Sequence, residues 1–262
     1  MNHLVVMFLV TGVSVIALFT VAWVIQLKTK NGAIADVMWG VSFPLVTLVY
    51  FLMSDSHGTR QLLLLILVSL WGLRLAIYLF GRTIGETEDA RYIALRAEWG
   101  KNHNLFMLRF YYFQAMLATV LSLPFALVML NQSNPFSVSE VIGVVLWGIG
   151  IFGETIADSQ LKRFKSKGEN KGKICDRGLW FYSRHPNYFF EWMIWVGYFF
   201  LALPAAYGWW SIVSPMAMLY FLTKVTGIPY TEAHMLKTRG EVFSKYQQST
   251  SAFVPLPKKK SI

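Results

Sequence analysis

Seven runs of mostly apolar residues, each about as long as a bilayer is thick, set the terms for this chain. A helix needs roughly 20 such residues to cross about 30 Å of hydrocarbon. The runs cover about Leu4–Leu27, Ala33–Met53, Leu62–Phe80, Phe110–Leu130, Phe136–Ile156, Tyr188–Ala206 and Trp209–Thr226. Unbroken runs of this length do not alternate as barrel strands do, so helices are the expected spanning element. The first run carries no charge, has no basic segment before it and lacks a small-x-small site ahead of Lys28. It therefore reads as a span, not as a cleaved signal. A content of 55% hydrophobic residues exceeds the roughly 45–50% of soluble domains. The expected fold is all-α: a polytopic integral membrane protein of about seven transmembrane helices, forming one domain over residues 1–262. Spans one to four (4–130) form its substrate side. Spans five to seven, with their polar loop and tail (136–255), form its cofactor side.

Charge gives the orientation. With alternating spans, 22 of the 24 lysines and arginines fall on one side, and Arg60 alone lies on the other, with Arg74 inside a span. Basic connections face the cytoplasm, which puts the N-terminus outside and the C-terminus inside. The same partition accounts for the net charge of +10 without nucleic acid as a partner. The terminal Lys258-Lys259-Lys260 run reads as a lipid-headgroup contact or a solvated end. Short outer loops and the lack of targeting elements point to a bacterial inner membrane. The single cysteine, Cys175, and five scattered histidines show no metal-ligand spacing, so no metal is expected.

Ionisable groups inside spans are costly and mark function by default. Here they are Asp36, Arg74, Glu154 and Glu191, each toward the basic end of its helix. Any one of them could instead snorkel to the headgroups. One cavity opening to the cytoplasm explains the set together. Arg74 and Tyr78 share a helix face at i, i+4.

The stretch Cys175–Glu191 carries the most specific signal. Pro186 suits the first turn of a helix, where its missing N–H would be unpaired anyway. That helix start favours an anion, and Arg177 and Arg184 would add bidentate phosphate donors. Asn187 and Glu191 then form one polar ridge running into the bilayer. A nucleotide lying along the helix fits this ridge. A plainer reading makes Arg184-His185-Pro186 a topology anchor, with Tyr182, Tyr188 and Trp192 as an interfacial belt.

The motif Asp176-Arg-Gly-Leu-Trp-x-Tyr-Ser-Arg-His-Pro-Asn-Tyr-x-x-Glu191 resembles the C-terminal signature of the steroid 5α-reductase superfamily, closest to its bacterial membrane branch. The tail is similar too, through Gly227-Ile-Pro-x-x-Glu232, Arg239-Gly-x-x-Phe-x-x-Tyr246 and Phe253-Val-Pro255. The resemblance implies seven spans and NADPH held by the C-terminal half. It implies reduction of a carbon–carbon double bond conjugated to a ketone in a steroid-like or other lipid substrate that enters from the bilayer. Asn187 and Glu191 fall at the positions that contact nicotinamide. Asp158, Arg177, Tyr182, Arg184, His185, Lys165, Arg82 and His234 are the further cofactor candidates. The ketone-polarising pair maps to Asp36 and Tyr78, with Asp36 where the family carries a glutamate beside a glutamine. Hydride attack drives charge onto the ketone oxygen, so a donor there lowers the barrier. Tyr78 would be that donor, supported by an Asp36 carboxyl kept neutral by burial. Two other readings stand beside this one: a membrane methyltransferase using S-adenosylmethionine, of the isoprenylcysteine or phospholipid type, and a non-enzymatic lipid-binding protein.

Overall fold

A computed structural model describes residues 2–83, 87–132 and 135–258. Lys259 and Lys260 of the terminal basic run lie outside the described residues, as do residues 84–86 of the third connection. Among the described residues the regular elements are helices, with a single isolated bridge pairing Ser183 and Ser251. Among the described residues, six helical segments are long and apolar enough to cross a membrane by length and composition. The helices pack as two compact units, residues 1–136 with 204–211, and residues 137–203 with 212–262.

The first unit holds α1 (Asn2–Thr29), α2 (Ile34–Met53), α3 (Thr59–Thr83), α4 (Ala90–Trp99), α5 (His103–Leu121) and α6 (Leu123–Leu130). Small residues let α2 and α3 approach closely, as in other membrane helix pairs. A Cβ added at Gly40 would lie 2.8 Å from the Ala76 nitrogen, so no side chain fits there. The expected fourth span is jogged between α5 and α6. Pro124 in the first turn of α6 has no N–H to continue the ladder. The Ser122 hydroxyl at the jog meets the Tyr50 hydroxyl at 2.9 Å and donates to the Thr119 carbonyl.

The second unit holds α7 (Val138–Lys165), α8 (Leu179–Tyr182), α9 (Pro186–Ala202), α10 (Val213–Tyr220) and α11 (Ile228–Ser249). A capping box between Ser137 and Glu140 starts α7. Its 28 residues give about 42 Å of helix, more than a bilayer core requires. Alpha-helix α9 has 17 residues, where the sequence suggested a run to Ala206. It stops before Pro204, which cannot donate the next ladder bond. The expected seventh span is composite: a 3-10 turn over Gly208–Ile212, then α10, then a π turn over Phe221–Val225. The α7–α9 seam is the tightest packing in this unit. A Cβ on Gly143 would meet the Gly197 carbonyl oxygen at 2.7 Å, and one on Gly197 would meet the Gly143 oxygen at 2.8 Å. Across the same seam the Trp147 indole donates to the Tyr198 hydroxyl at 3.0 Å. The seam thus fixes where the polar start of α9 stands beside the polar end of α7.

Candidate functional site

The start of α9 is held from two directions within the second unit. Gly178 turns the chain with φ +61°, a value that favours glycine. The Leu179 N–H then donates to the Gln160 side chain at 2.9 Å, and the Trp180 indole donates to the Ala157 carbonyl at 2.9 Å. These bonds pin the short α8 to the end of α7. The tail supplies the second hold. Arg184 N–H donates to the Ser251 carbonyl, the Ser183 hydroxyl to the Phe253 carbonyl, and Leu256 N–H to the Tyr182 carbonyl. The Tyr246 hydroxyl donates to the Trp180 carbonyl.

Glu232 of α11 closes this clasp. Its Oε1 accepts from Arg184 Nε at 2.7 Å, and its Oε2 accepts from Arg184 Nη2 at 3.2 Å and from Gln247 Nε2 at 2.7 Å. His185 Nε2 lies 3.1 Å from Oε1, and the His185 ring stacks on Tyr188 at 5.4 Å. Arg184 Nη1 donates to the Gln247 and Thr250 carbonyls. Burial pushes the Glu232 carboxyl up, but hydrogen bonds from His185, Arg184 and Gln247 outweigh it and hold the group at about 2. The sequence suggested Arg184 as a phosphate donor. In the structure its guanidinium meets Glu232 and two carbonyls of the tail, a carboxylate of the same chain matching the planar fork.

Beyond the clasp, Asn187 Nδ2 donates to Asp158 Oδ1 at 3.4 Å, linking the polar ridge of α9 to α7. Asn187 Oδ1 is buried and has no hydrogen-bond partner. An unpaired buried acceptor costs about 1–3 kcal/mol, so the position is set for a donor. Glu191 follows one turn later, half-buried on the same ridge. Glu154 stands one turn before Asp158 on α7, and both are buried. Arg177, Tyr182, Lys165 and His234 are exposed; the Arg177 guanidinium lies over the Phe164 ring at 5.3 Å. Among the described residues, no group of three or more His, Cys, Asp or Glu could hold a metal ion.

A family model described as "Protein of unknown function (DUF1295)" matches residues 22–250. The chain belongs to that family. No curated protein and no solved structure matches. The part matched by the DUF1295 model contains every candidate site residue from Asp36 to His234.

Three of those residues lie in the first unit. Asp36 accepts from Arg91 Nη2 through Oδ2 and from the Tyr92 hydroxyl through Oδ1, both at 2.8 Å. Both Asp36 oxygens are thus engaged by residues of α4. Tyr78 carries the Arg82 guanidinium over its ring at 5.7 Å. Next to Asp36, Glu88 accepts from the Gly32 N–H at 2.6 Å and from Arg96 Nε through both oxygens at 3.0 Å. Arg96 Nη2 also donates to Gln26 at 2.7 Å. Arg91, Tyr92, Glu232 and Gln247 were not among the sequence-derived candidates. For Glu232 a signal existed: it and Glu241 are the only acids after Gly227, in a stretch otherwise rich in bases.

Proposed function

We propose that this DUF1295 protein reduces a carbon–carbon double bond conjugated to a ketone in an apolar lipid, using NADPH. The observation that carries the reading is the buried, partnerless Asn187 Oδ1 on the polar face of α9. A carboxamide such as that of nicotinamide offers the N–H this acceptor lacks. Bound NADPH supplies hydride, and one proton completes the reduction. Asn187 would orient the carboxamide, Asp158 would hold Asn187, and Glu191 would extend the polar ridge. Arg177 and Lys165, both exposed, are the proposed phosphate contacts, with Tyr182 beside them. Arg184 and His185 act through Glu232, as positioning groups for Pro186 and Asn187. His234 and Arg82 rest on the family resemblance alone. So do the roles of Tyr78 as donor to the ketone oxygen and of Asp36 as its acid. The proposed topology has seven spans with α9 as the sixth, the N-terminus outside and the C-terminus cytoplasmic in a bacterial inner membrane. The concentration of bases on one side supports it.

NADPH at about 100 times its Kd should stabilise the detergent-solubilised protein by about 2.7 kcal/mol, read as a rise in melting temperature. Asn187→Ala and Glu191→Ala should each weaken nucleotide binding in titration calorimetry by about tenfold, the loss of one hydrogen bond to a polar head. Stabilisation by S-adenosylmethionine with none by NADPH would overturn the reading in favour of a methyltransferase. Removal of the ketone donor by Tyr78→Phe should cut turnover by about 100-fold while NADPH still binds. Wild-type turnover in that variant removes Tyr78 from the chemistry.

A further inference from the structure

An apolar groove of about 670 Å³ runs along the outer flank of α7. Val145, Ile149, Phe152 and Ile156 form its wall and are all exposed. Gly148 opens its floor, and a Cβ added there would have nothing within 4 Å. The groove ends at Gln160, beside Gly178 and Leu179. From Val145 to Gln160 is a helical rise of about 22 Å. One leaflet of a bilayer, headgroups included, is about 20–22 Å thick. The groove is therefore as long as one lipid molecule is tall.

Its polar end is strongly basic. Arg163 lies three residues after Gln160 and seven after Ile156, so it continues the groove's own face of α7. Arg163 is exposed, and its guanidinium has no partner among the described residues. Lys162 flanks it, and Arg177 precedes Gly178 at the same mouth. We infer that this groove is a binding site for an anionic phospholipid, with an acyl chain along Val145–Ile156 over Gly148 and the headgroup phosphate at Arg163 and Lys162. A second copy of the chain is disfavoured as the occupant, because two such mouths would bring like charges together. The inference goes beyond the reductase reading and needs no nucleotide, so either can fail without the other.

Native mass spectrometry of the purified protein, titrated with phosphatidylglycerol and with phosphatidylcholine, tests it. Phosphatidylglycerol should bind at least about fivefold more tightly, a difference worth one base near a headgroup. Arg163→Gln should remove about that factor for phosphatidylglycerol and weaken phosphatidylcholine less, so that the preference between the two lipids shrinks. Gly148→Leu puts bulk into the groove from a position where a Cβ meets no protein atom within 4 Å, so it should stay folded, with an unchanged melting temperature, and lose the tightest-bound lipid of either kind. Equal affinity of the wild type for the two lipids would overturn the inference. So would full lipid binding by Gly148→Leu, displacement of phosphatidylglycerol by inorganic phosphate alone, or a dimer that Gly148→Leu dissociates.

Discussion

Glu232→Ala is expected to lower the melting temperature of the detergent-solubilised protein by about 6–12 °C, corresponding to a loss of about 3 kcal/mol. The side chains of Glu232, Arg184 and His185 are 13%, 10% and 6% exposed, so the cluster is largely removed from water. Deleting the carboxylate leaves the Arg184 guanidinium with only carbonyl acceptors, and breaking a buried pair from one side costs far more than the pair contributes net. Glu232→Gln keeps the size and one acceptor oxygen, so its loss should be smaller. The pH dependence has a definite sign. Burial pushes the Glu232 carboxyl up, but the bonds from His185, Arg184 and Gln247 prevail and hold it at about 2 against an ordinary 4.5. A group depressed on folding stabilises fully above its unfolded value and loses that contribution as pH falls toward its folded value. The deficit of Glu232→Ala relative to wild type should therefore be complete at pH 7 and shrink between about pH 4.5 and 2. A variant that melts with wild type at pH 7 would show that the clasp carries no stability.

The helical class was legible because hydrocarbon demands long apolar runs, and such runs are visible without any tertiary information. Where the helices break was less so. The end of α9 before Pro204 and the jog before Pro124 are set by single prolines acting on a local ladder, and a π turn follows Tyr220. A hydropathy run passes over all three. The site divides in the same way. The ridge of Asn187 and Glu191 follows from helical spacing and stands on α9 as expected. Spacing names a face, however, and not the partner across it. Arg184 finds Glu232 48 residues later, and Asp36 finds Tyr92 56 residues later. Chemistry alone makes an arginine beside a helix start a phosphate ligand. The same planar fork fits a carboxylate equally well, and the fold provides one. The structure pairs Arg184 and His185 with Glu232, while it leaves Arg177 and Lys165 exposed.

Support of that kind depends on the α7–α9 seam, where the second large effect is expected. Gly197→Leu should destabilise the protein by about 3 kcal/mol, the upper end of the usual cost of overpacking. The added Cβ would lie 2.8 Å from the Gly143 oxygen and 2.9 Å from the Trp147 nitrogen, both backbone atoms that cannot turn aside as a side chain would. The helices must separate instead. Separation strains the Trp147–Tyr198 hydrogen bond, which joins residues flanking the contact. It also lengthens the Asn187–Asp158 contact, already 3.4 Å, at the polar end of the same seam. Nucleotide affinity should consequently fall together with stability, although Gly197 is more than two helical turns from Asn187. Gly148→Leu is the control: it adds the same side chain to α7 where a Cβ meets open space, so it should melt with wild type. Thermal melts of the two variants, each with and without NADPH, separate a specific close contact from a general cost of bulk. If Gly197→Leu melts with Gly148→Leu and binds nucleotide as wild type does, the glycine contact does not set the geometry of the α9 start.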